Sequence, residues 1–112
     1  MAAITVQNVT AETTLTPVFV EASEGGDYFA NSGTIMLYVK NAHAADARTV
    51  TIHSQVDCDQ GYEHDLTVSV PKESERMVGF LSVGRFNDCA GRVQLTYSSE
   101  ADVTVAAISI SK

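Results

Sequence analysis

Hydrophobic and polar residues alternate with a period of two through most of the chain. Ile35, Leu37 and Val39 fall on one phase, and Thr34, Met36, Tyr38 and Lys40 on the other. Val50 and Ile52 alternate with Thr49, Thr51 and His53, and Leu66, Val68 and Val70 with Thr67 and Ser69. Val93, Leu95 and Tyr97 alternate with Gln94, Thr96 and Ser98. Successive side chains of a strand point to opposite faces, so the pattern predicts strands that bury one face and wet the other. The residues used, chiefly Val, Thr, Ile and Tyr, suit a pleated surface.

Turn-forming clusters separate these runs. Glu24-Gly25-Gly26-Asp27 and Asn31-Ser32-Gly33 precede the first strong strand, and Asn41–Asp46 closes it. Asp57–Glu63, Pro71–Ser74, Asn87–Gly91 and Ser98–Glu100 punctuate the rest. Together they predict about eight short strands, near residues 3–9, 15–21, 34–41, 48–56, 65–70, 76–81, 92–98 and 102–110. That spacing predicts an all-β fold, an antiparallel β-sandwich with jelly-roll or immunoglobulin-like connections, built as a single domain over residues 1–112. Residues 1–21 alternate less clearly. They read either as edge strands or as an extended amino-terminal arm that adds to a neighbour's sheet. Near the other end Val103, Val105 and Ala107 keep one phase, and Ile108 and Ile110 the other. A bulge near Ala106-Ala107, or a last strand buried on both faces, accounts for the shift. Only Ala42–Ala47 looks helical, and it is too short to stand as a helix by itself.

Charge narrows the partners. Fourteen acidic residues against seven basic ones give a net charge of −7. This is the wrong sign for nucleic acid, whose binders need cationic patches, and it disfavours anionic membranes. No stretch approaches the roughly 20 apolar residues of a membrane helix. Met1–Thr10 has neither a basic start nor an apolar core, so no signal peptide is read there and synthesis in a cytoplasm is expected. Cys58 and Cys89 are too few for a disulfide scaffold and sit in polar, loop-like contexts, where free thiols are expected.

In Asp57-Cys58-Asp59-Gln60-Gly61-Tyr62-Glu63-His64-Asp65, oxygen-bearing side chains recur as a calcium loop requires. The glycine, however, falls at the fifth position rather than the sixth, and Val68 stands where a bidentate glutamate belongs. A polar strand face gives the same alternation. His53, Cys58 and His64, with His43 or Cys89, supply zinc-type ligands but lack the close pairs of zinc sites. No nucleophile elbow, P-loop or dinucleotide fingerprint occurs. The reading is therefore no catalytic residue, no metal and no cofactor, with an unknown binding surface. The segment Gly84-Arg85-Phe86-Asn87-Asp88 reads as an ordered connection, with Phe86 as an apolar anchor and Arg85 available to a carboxylate across the loop. Its functional alternative is a docking loop for a partner.

Five stretches, GTIMLYVKN (Gly33–Asn41), TVTIHSQV (Thr49–Val56), LTVSVPKESERMVGF (Leu66–Phe80), GRFNDCAGRVQLTYSS (Gly84–Ser99) and DVTVAAISI (Asp102–Ile110), carry a resemblance. They resemble small virion proteins encoded among the structural genes of tailed bacteriophages. The resemblance implies a β-sandwich or jelly-roll and a capsid decoration (cement) protein on the outer surface of the head. Its implied partners are the major capsid protein and neighbouring copies of itself, and it brings no catalytic motif. A tail or head-completion protein is the nearest alternative. A carbohydrate-binding or adhesive sandwich is the alternative of another class. It is weakened by the absence of Trp and by only four Tyr, Tyr28, Tyr38, Tyr62 and Tyr97, the last of them inward by phase.

Overall fold

The computed structural model describes residues 2–10, 12, 14–55 and 65–110. Ten strands and one helical turn follow in chain order: β1 (Ala2–Ala3), β2 (Val6–Val9), β3 (Val20–Glu21), β4 (Asp27–Ala30), β5 (Ile35–Asn41), β6 (Arg48–Ile52), β7 (Leu66–Val70), β8 (Ser74–Val78), α1 (Val83–Phe86), β9 (Arg92–Tyr97) and β10 (Val103–Ile110). One sheet has the order β1-β4-β9-β6-β7; the other runs β2-β10-β5-β8, with β3 also on β10. The protein is therefore an all-β, sandwich-type fold. Pairing is antiparallel except where β1 meets β4 and β2 meets β10, both parallel.

The alternation read from the sequence sets the core. Ile35, Leu37 and Val39 of β5, Val50 and Ile52 of β6, and Val93 and Leu95 of β9 are all buried, while their strand neighbours are half-buried. Phe29 from β4 and Val103, Val105 and Ala107 from β10 complete the contact between the sheets. Burying one such aliphatic side chain contributes about 1.5–3 kcal/mol.

The strand expected over 76–81 lies at Ser74–Val78, and three further elements depart from the expected strands. β4 was read only as the gap between two turns, because four residues are too few to show a period. The 3–9 segment divides at Ile4-Thr5, since β1 joins one sheet and β2 the other. Of the 15–21 segment only Val20–Glu21 pairs, and the chain before it crosses the outside of the second sheet, where Phe19 meets Tyr38 edge-on at 5.0 Å. That crossing bears on the phase shift in β10. Its register against β5 runs unbroken from Val103↔Asn41 to Ser109↔Ile35, so no bulge is present. Ala106 is opposite Tyr38 and fully buried, and Ile108 is buried as well. The strand is covered on both faces.

Buried polar groups stitch the ends. Asn41 Nδ2 donates to the carbonyls of Asp46, Val70 and Pro71 at 3.0, 3.1 and 3.3 Å, and its Oδ1 accepts the His43 N–H. One side chain at the end of β5 thus ties the two sheets together where β7 turns into β8. Asp27 is also buried, and its carboxylate accepts the Tyr97 hydroxyl at 2.6 Å and the Ser23 N–H at 3.1 Å. Burial first, and then the Asp27 bond, raises the Tyr97 pKa well above the ordinary phenol value.

Candidate interaction surface

The titratable side chains singled out in the sequence are scattered. His43 precedes β6 and His53 follows it, so the two stand at opposite ends of that strand. Cys89 is an exposed free cysteine in the turn before β9. Among the described residues no three His, Cys, Asp or Glu side chains gather as a metal site. Asp57 to His64, the core of the calcium reading and two of the zinc-type ligands, lie outside the described residues.

His53 does find partners. Its Nδ1 is 3.3 Å from Asp65 Oδ2 and its Nε2 is 3.0 Å from the Thr96 hydroxyl, while Asp65 Oδ1 accepts the Ser54 N–H at 2.9 Å. A hydroxyl, an imidazole and a carboxylate in line resemble a nucleophile, base and orienting group. Thr96, however, sits within regular strand β9, paired opposite Thr51. The arrangement ties β6, β9 and the start of β7 together on the outer face of the first sheet.

The Gly84–Asp88 segment is held by several side-chain contacts. Val83–Phe86 forms a single helical turn with Phe86 buried beneath it. Arg85 lies over the Phe86 ring, 4.7 Å from its centroid. Asn87 and Asn31 clasp each other: Asn31 Nδ2 donates to Asn87 Oδ1 at 2.8 Å, and Asn87 Nδ2 donates to the Asn31 carbonyl at 3.0 Å. Asn31 Oδ1 also accepts the N–H of Gly33, whose φ of +91° favours glycine. Asp88 accepts from the Gln94 side chain and from the Arg92 and Ala90 N–H groups, and these bonds hold its carboxyl below the usual range.

This segment frames the surface that sequence reading missed. In Met77-Val78-Gly79-Phe80-Leu81-Ser82-Val83 the hydrophobic residues do not alternate. Val78 and Leu81 are buried at 8% and 2% exposure, whereas Met77, Phe80 and Val83 are 52%, 59% and 45% exposed. A run with more apolar residues than one buried face can use was the available signal. It lies at the margin of the second sheet, because β8 pairs with β5 on one side and has no strand on the other among the described residues. An unpaired strand edge beside exposed apolar side chains is the kind of surface on which association commonly occurs. Comparisons with family models, curated proteins and solved structures return no match to this chain.

Proposed function

We propose that the chain is a structural protein of a tailed-phage virion: a decoration protein that binds the outer surface of the head, is held by the major capsid protein, and stabilises the shell. The observation that carries this reading is the exposed set Met77, Phe80 and Val83 beside the unpaired edge of β8. It is supported by the resemblance of the strand-and-turn segments and by a fold whose buried polar groups are spent on bracing the sandwich. The net charge of −7 keeps free copies apart before assembly. Each contact with the shell need only be weak, since a copy that touches more than one capsid subunit gains avidity from the lattice.

The test is direct. Expanded shells assembled without the protein should bind it in a sedimentation assay, saturate at a fixed number of copies per shell, and resist heat or chelator better afterwards. Failure to bind mature shells would remove the decoration reading and favour a tail or head-completion component.

A further inference from the structure

Backbone polarity along β8 can be read from its neighbours. Ala42 N–H donates to the Asp102 carbonyl and Ile110 N–H to the Thr34 carbonyl, so even-numbered residues of β5 turn their polar groups toward β10. The odd-numbered Leu37, Val39 and Asn41 therefore face β8, opposite Val78, Arg76 and Ser74. Strand geometry then directs the N–H and C=O of Glu75 and Met77 away from the sheet. The Glu75 carbonyl is met there by the neighbouring Arg76 side chain, whose Nη1 donates to it at 2.8 Å. A charged side chain folded over its own strand edge is a guard against indiscriminate pairing.

The guard also points to what the edge takes. Arg76 makes no ion pair among the described residues, and the nearby Glu75 carboxylate raises the Tyr38 pKa. Ser74, Glu75 and Arg76 line an open groove with Lys40 and Asn41 of β5. Lys72 and Arg76 stand at this margin beside Glu73 and Glu75, while the Lys40 Nζ lies over the Phe19 ring on the outer face. Two copies joined edge to edge would set Arg76 against Arg76 or Glu75 against Glu75 in the registers centred on those residues, and each copy carries a net charge of −7, which disfavours a like partner. We propose that the outer edge of β8 accepts an extended strand from the shell protein by β-augmentation, with a carboxylate of that strand drawing Arg76 off the Glu75 carbonyl and Met77 and Phe80 receiving apolar side chains of the donor. The donor's identity rests on the decoration reading; the mode of binding rests on the edge.

The decisive variants are Met77→Pro and Arg76→Pro. The first removes an N–H that faces outward and leaves the β5 ladder whole, so the fold should survive while docking is lost. The second removes a ladder bond and should destabilise the fold. Arg76→Glu should fold normally and bind shells roughly tenfold or more weakly, the scale of one charge-assisted bond. A second probe needs no shell: a short synthetic peptide of alternating Val and Thr with a central Asp, compared with the same peptide carrying Lys. The Asp peptide should slow amide exchange at Glu75 and Met77, and the Lys peptide should not. Equal shell binding by the wild type and Met77→Pro would overturn the edge inference and leave decoration standing. Protection of those amides by the Asp peptide without shell binding would do the reverse. Absence of protection from both shell and peptide, or a dimer abolished by Met77→Pro, would overturn the inference outright. If Met77→Pro failed to fold, Arg76→Glu and the amide readout would decide.

Discussion

The two margins of the sheet built on β5 and β10 are finished in different ways. On the β10 side, β2 covers Ala107–Ile110 and β3 covers Thr104–Val105. Between those short strands the Gln7 side chain takes the place of a backbone neighbour. Its Nε2 donates to the Val18 carbonyl at 2.7 Å, and its Oε1 accepts the Val18 N–H at 2.9 Å. Phe19 then lies under Lys40, whose Nζ is 4.1 Å from the ring centroid. On the β8 side a single arginine covers a single carbonyl. The first margin is closed by chain that belongs to the fold. The second is closed by a single side chain, and under the edge proposal this contrast assigns association to β8 and stability to the amino-terminal strands.

The largest effect should come from removing residues 1–10. Ile4 is buried, β1 extends one sheet and β2 the other, so the truncated protein should lose its cooperative thermal transition. A truncated chain that unfolds as the parent does would show the margin to be dispensable and return the segment to the role of an arm. Next come the buried polar ties. Asn41→Ala strands buried carbonyls and should cost about 1–3 kcal/mol in denaturant unfolding.

Tyr97 supplies a pH test of the sheet that β1 closes. Its raised folded-state pKa means that its contribution is complete below the ordinary phenol pKa of about 10 and is lost as pH rises beyond it. Alkaline unfolding should therefore steepen above about pH 10, and Tyr97→Phe should flatten that slope while costing stability at neutral pH. Gln7→Leu, which breaks the exposed clasp, should cost only about 0.5–1 kcal/mol. Met77→Ser should be the mildest, within about 0.5 kcal/mol of the parent by chemical denaturation. A large loss there would mean that the β8 margin is structural, and the contrast between the margins would collapse.

How far the sequence carried this picture depends on what each residue answers to. β5, β6 and β9 were legible because each buries one face, and Leu37, Val50 and Leu95 report that face at every second position. β10 was legible as an anomaly. Deciding between a bulge and a doubly covered strand required the unbroken register against β5 and the burial of Ala106 and Ile108, which are tertiary facts. β4 could not be seen, since Asp27 and Phe29 are its only inward residues. The division of residues 3–9 between two sheets was equally invisible, because it depends on parallel partners far along the chain. At the candidate surface, the excess of hydrophobic residues over 77–83 could be read beforehand. Which of them face water could not, since that follows from where β8 ends and where the α1 turn buries Phe86.

The parallel pairing of β2 with β10 also sets an order of events. Val6 pairs with Ala107 and Val9 with Ile110, and β3 waits for Thr104 and Val105 of the same strand. β10 is also a principal partner of β5. On a ribosome the two early strands β2 and β3 must remain unpaired until β10 has emerged, and loop closure over such distances is slow. Completion of the second sheet is thus deferred until β10 has been made, and β2 and β3 stay without partners in the nascent chain until then.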